Sequence, residues 1–77
     1  MDIHIDYEAI LVSFESDESG ETTAFNDDLG VMAIGPDEET ARARFHAALT
    51  RQVAHELSQG RPLPDPLRAH VRVLVGA

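Results

Sequence analysis

The residues from Glu38 to Gln59, EETARARFHAALTRQVAHELSQ, contain neither glycine nor proline, and Ala41, Phe45, Ala48, Leu49, Val53 and Leu57 recur through them at three- and four-residue steps. That spacing predicts one long helix with a single apolar stripe. A helix with one such stripe buries it against a second layer, and a sheet supplied by the rest of the chain satisfies that rule. The approach to it, LGVMAIGPDEETA, is a short apolar run that closes on Gly35 and turns at Pro36, whose ring holds φ near its helical value. Asp37 is then placed to cap the free amides of the first turn, with Glu38 and Glu39 at the positive end of the helix dipole. Glu38 and Arg42 form an i,i+4 pair in the favourable orientation, worth about 0.2–0.5 kcal/mol. Gly60 ends the helix, and the proline-rich RPLPDP that follows is expected to be extended.

The flanking segments read as strands. In IHIDYEAILVSF, Ile3, Ile5, Tyr7, Ala9 and Leu11 share one face at period two, while Ile10, Val12 and Phe14 fall on the other. A strand apolar on both sides fits cover by the helix on one face and by a second copy on the other, with Ile10, Val12 and Phe14 at that interface; a bulge that switches faces midway gives the same pattern. The polar turn ESDESGE and the strand-favouring TTAF make residues 5 to 26 a hairpin. After the break at NDDLG, VMAI is a third strand, and HVRVLV, alternating His70, Arg72 and Leu74 with Val71, Val73 and Val75, is the last. The expected fold is therefore a single α+β domain over residues 1–77, a mostly antiparallel sheet with one long helix on one face, in the order β-β-β-α-β.

A chain of 77 residues buries only roughly 60% of its unfolded surface, which favours an oligomer as the source of additional burial. It has no cysteine, so neither disulfides nor cysteine metal sites are open to it. The start, MDIHIDYEAI, lacks a basic segment and a long apolar run, and no membrane-length apolar stretch follows; a cytoplasmic protein is expected. Charge is polarised along the sequence. Residues 1–41 hold twelve acids and no Lys or Arg, a net −12, whereas residues 42–77 hold six Arg and two acids, a net +4, for −8 in all. Such an acidic half repels phosphate backbones and attracts cationic proteins. The acids on the turns, Glu15, Asp17, Glu18, Asp27 and Asp28, are the candidate partner-binding residues.

Residue patterns for catalysis are sparse. His46 and His55 are nine residues apart on the helix, nearly opposite at 100° per residue, and do not share a metal; His4 and His70 meet only if their strands pair. The pairs Asp27/Asp28 and Glu38/Glu39 read as solvated residues of a turn and of a helix start. Ser13, Ser16, Ser19 and Ser58 lie in no nucleophile motif, and Gly35 lies in no phosphate loop. Neither a cofactor nor a metal is expected, and one tyrosine with three phenylalanines offers no stacking platform for single-stranded nucleic acid.

Across nearly its whole length the chain resembles the HicB antitoxins of bacterial toxin–antitoxin pairs and their wider HicB-like superfamily. The resemblance rests on Tyr7 opening the first strand, Asp17 and Gly20 in the hairpin turn, and Ala24 in the second strand. It continues through Asp28-Leu29-Gly30 before the third strand, Gly35 with Glu39 and Ala41 at the helix start, and Gly60 with Pro62 and Pro64 after it. Leu29 and Val31 stand where the family usually has a proline and a cysteine, and Asp37 where a threonine is common. The resemblance implies a partially RNase H-like domain without its catalytic acids, a binding module that covers a small basic, messenger-RNA-cleaving HicA-like toxin. Such proteins usually continue into a DNA-binding segment; the expectation here is the HicB-like domain without that segment, and no binding to nucleic acid or membrane is expected of this chain. The alternative is a stand-alone oligomeric member that binds a small ligand or acts as a small enzyme at a cleft between subunits.

Overall fold

The computed structural model describes residues 2–74. In chain order these form β1 (Asp2–Ile5), a 3₁₀ turn (Tyr7–Ala9), β2 (Ser13–Ser16), β3 (Thr22–Asn26) and β4 (Val31–Gly35), then α1 (Glu38–Ser58), α2 (Asp65–Arg68) and β5 (Val71–Leu74). The fold is α+β with antiparallel pairing throughout: β2-β3-β4 make a three-stranded sheet and β1-β5 a two-stranded one.

The helix follows its pattern. Asp37 is extended, and its carboxylate accepts from Thr40 N at 2.7 Å, which satisfies one of the amides that a helix start leaves free. Ala41, Phe45, Leu49 and Val53 are each fully buried, and the stripe they form lies on β4 and β3. At the other end Gly60 adopts φ +70°, Gly60 N donates to Leu57 O and Arg61 N to Glu56 O, the double bond of a Schellman C-cap. The Glu38–Arg42 pair forms at 3.7 Å with both side chains exposed, so its contribution is small.

The first strand departs from expectation. Residues 3–14 are not one strand but two, belonging to different sheets. Asp6 N still continues the β1–β5 ladder by donating to His70 O, after which Ala9 N to Asp6 O and Ile10 N to Tyr7 O wind the chain into the 3₁₀ turn. Tyr7 is the reason the turn sits where it does: its hydroxyl hydrogen-bonds Thr50 Oγ1 on α1, and its ring packs against His46 at 4.6 Å. The hairpin proper is β2–β3, with Ser13 opposite Phe25 and Ser16 opposite Thr22. The segment after α1 also differs. Asp65 and Pro66 open a short helix instead of continuing extended chain, which proline permits because the first turn needs no amide from it, and Leu67, 1% exposed, pins that helix to the core. The final strand covers Val71–Leu74, and the expectation for Val75 lies outside the described residues.

Candidate binding surface

The three-stranded sheet has one covered and one open face. Thr22, Ala24, Val31 and Gly35 are buried beneath α1. Since strand side chains alternate in direction, Thr23, Phe25, Met32, Ile34 and Glu15 stand on the other side. Cross-strand pairs tie them together: Glu15 with Thr23, Thr23 with Ile34, and Phe25 with Met32. Met32 is 62% and Ile34 43% exposed. Phe25, Met32 and Thr23 line a shallow hollow whose polar wall is Glu15, Asn26 and Asp27.

The residues expected at an interface between copies do not stand on this open face. Ile10 is 7% exposed and belongs to the core of its own chain, Val12 is half-buried against that core, and Phe14 pairs with Ala24 on the covered face. The Arg42 guanidinium lies over the Phe14 ring, 5.1 Å from its centre. Ile10 and Phe14 therefore have little to offer a second copy. The apolar residues that do face outward on the sheet are Phe25, Met32 and Ile34. Sequence alone hid them, because VMAI is apolar at every position and only the covering helix decides which alternate residues stay outside.

The five candidate acids are all exposed but do not form one patch. Asp17 and Glu18 sit on the β2–β3 turn and Asp27 and Asp28 on the β3–β4 turn, at opposite ends of a strand about 16 Å long. Glu15 lies on β2 between them and faces the hollow with Asp27. Asp17 is largely engaged in shaping its turn: its Oδ1 accepts from Ser19 N, Ser19 Oγ and Glu21 N at 2.9, 2.6 and 3.1 Å. The Ser19 hydroxyl bond, with the backbone amides, holds its carboxyl below the usual carboxylate range.

Folding adds acids to one end. Thr22 pairs with Gly35, so the β2–β3 turn with Asp17, Glu18 and Glu21 lies beside the start of α1 with Asp37, Glu38 and Glu39. Hydrogen bonding from Thr40 lowers the pKa of Asp37, as the Ser19 contacts lower that of Asp17. Arg61 and Arg68 follow the far end of the helix, where they meet Glu56 at 3.6 Å and Asp65 at 3.3 Å. Arg42 and Arg44, in the first turns of α1, lie among the acids at the near end, where Arg42 meets Glu38 at 3.7 Å.

A second groove runs between the 3₁₀ turn and α1, lined by Tyr7, Glu8, Ile10, Leu11, Arg42 and His46. Burial, with Arg42 nearby, depresses the His46 pKa, which suits a packed neutral imidazole stacked on Tyr7. Leu11, 75% exposed, marks its rim. Among the described residues no group of three or more His, Asp or Glu is gathered as metal ligands, and no helix is long and apolar enough to cross a membrane. His4 stands opposite Arg72 in the β1–β5 ladder, and His70 lies beside Asp6 at its end.

Comparison with protein-family models, with curated proteins and with solved structures finds no match for the chain.

Proposed function

We propose that this protein is a non-catalytic binding module for a cationic protein, acting as a HicB-like antitoxin does by covering a small basic RNA-cleaving toxin. The observation that supports this reading most directly is the charge distribution. Residues 1–41 contain no Lys or Arg, and the fold gathers six of their acids, Asp17, Glu18, Glu21, Asp37, Glu38 and Glu39, around one end while Glu15 and Asp27 flank an apolar hollow. Such a surface accelerates encounter with a basic protein and repels duplex DNA. Self-association is part of the same proposal only through a surface other than Ile10 and Phe14.

The test is co-purification with the product of the adjacent gene, followed by association rates at low and high salt. Charge reversal at one end by Glu18→Lys with Glu21→Lys, or at the other by Asp27→Lys with Asp28→Lys, is expected to slow association most at low salt, where screening is weakest. A complex whose association ignores both salt and charge reversal refutes the role of the acids. Tight binding of promoter duplex at physiological salt refutes the separation from DNA.

A further inference from the structure

We infer that the open face of β2-β3-β4 is the docking surface for a cationic, amphipathic segment of another protein, with apolar side chains seated on Phe25, Met32 and Ile34 and Lys or Arg side chains against Glu15 and Asp27. This rests on the functional reading above and specifies where on the molecule the partner is held. Three large apolar side chains are strongly exposed in the described structure, and two of them, Met32 and Ile34, are on this face, two residues apart on one strand. The Phe25–Met32 and Thr23–Ile34 pairs extend the strip across β3. It offers a partner an apolar seat, with charged groups at its margin to add affinity and orientation.

Charge decides the occupant. A second copy laid on this face brings its own Glu15 and Asp27 to the same contact, so that four carboxylates are desolvated together. The chain contains no lysine to neutralise them, and Arg44, held to Ile34 O at 2.9 Å, lies at the end of β4 away from Asp27. Like charges removed from water without counter-charge oppose association. A segment that presents aliphatic side chains at the centre of one face and Lys or Arg at the margins of that face satisfies both parts of the surface. In extended form its like-facing side chains repeat at about 6.6 Å, close to the Met32-to-Ile34 spacing on β4.

The experiment uses the whole protein and a fluorescent lysine–valine peptide, with valine at alternate central positions and lysine on the same face at both ends. Two controls accompany it: one with glutamate in place of lysine, the other with serine in place of valine. The lysine–valine peptide is expected to bind at low salt and to shift backbone amide resonances of β3 and β4; both controls bind more weakly. Met32→Ser with Ile34→Thr, at exposed positions, is expected to weaken binding on the order of tenfold while leaving the thermal melt unchanged. Glu15→Gln with Asp27→Asn weakens it comparably and flattens the salt dependence. Salt-sensitive binding that is indifferent to Met32 and Ile34 overturns this inference and leaves the cationic-partner reading standing. Failure of the lysine–valine peptide to bind overturns the inference, while co-purification judges that reading separately. Sedimentation of the protein alone as a dimer that Met32→Lys dissociates overturns it in favour of a second copy.

Discussion

Replacing Gly35 with alanine tests the junction on which the whole fold turns. Gly35 closes β4, is buried, and passes the chain through Pro36 and Asp37 into α1. A methyl group added there stands 2.7 Å from Ala41 N, 3.0 Å from the Thr40 carbonyl carbon and 3.1 Å from Ala41 Cα. Ordinary contact begins at 3.4 Å, so the nearest atom is about 0.7 Å too close. All three neighbours are backbone and cannot rotate aside. Relief requires the first turns of α1 to lift from the sheet, and Ala41 and Phe45, both fully buried, lift with them. Overpacking of this kind costs about 1–3 kcal/mol. For a domain of this size each kcal/mol is worth roughly 4–8 °C in Tm, and a fall of roughly 10 °C is expected in a melt followed by circular dichroism. Gly60 is the control, since it has φ +70° and nothing within 4 Å of an added methyl. Gly60→Ala meets only the left-handed backbone penalty, about 1 kcal/mol, and Gly60→Asn recovers part of it because asparagine tolerates that conformation. At position 35 the order reverses: Gly35→Asn is worse than Gly35→Ala, because bulk and not backbone angle is the obstacle. A Gly35→Ala protein that melts with the wild type refutes the close approach.

Leu49→Ala is expected to cost about 2–5 kcal/mol, while Arg51→Ala, on the exposed side of α1, leaves urea unfolding unchanged; equal losses at the two positions refute the assigned helix face. Asp37→Ala lowers Tm and Asp37→Asn, which keeps an acceptor for Thr40 N, restores part of it. The Asp37 pKa is lowered by folding, so its ionised cap contributes fully above the unfolded value of 3.8 and is lost as pH falls through the lower folded value; an acid titration of stability in Asp37→Asn loses that component. The His46 pKa is also lowered by folding, from 6.5. Its neutral form is the one the fold accommodates, hence stability is complete above pH 6.5 and declines as pH drops from there toward the folded value. His46→Phe is expected to remove that decline, and an unchanged pH profile refutes it.

Some of this protein was legible in the chain alone because local chemistry and local structure coincide there. The α1 stripe, the Asp37 cap and the Gly60 stop each depend on residues within a turn or two of one another, and each stands where periodicity and capping rules put it. The turns at Asp17–Glu21 and Asp27–Gly30 were marked by polar and glycine residues for the same reason. What tertiary structure alone decided involves partners far apart in sequence. Tyr7 reaches across to Thr50 and His46, and that anchor breaks the alternating run of residues 3–14 into strands of two sheets, a contact no periodicity count contains. The candidate acids on the turns are sorted by strand direction: a hairpin sends its successive turns to opposite ends, separating Asp17 and Glu18 from Asp27 and Asp28. The outward face was likewise undetermined until α1 covered one side of the sheet. In an all-apolar VMAI every residue is equally suited to burial, and the close contact of Gly35 with the helix assigns Val31 to the inside and leaves Met32 and Ile34 in water.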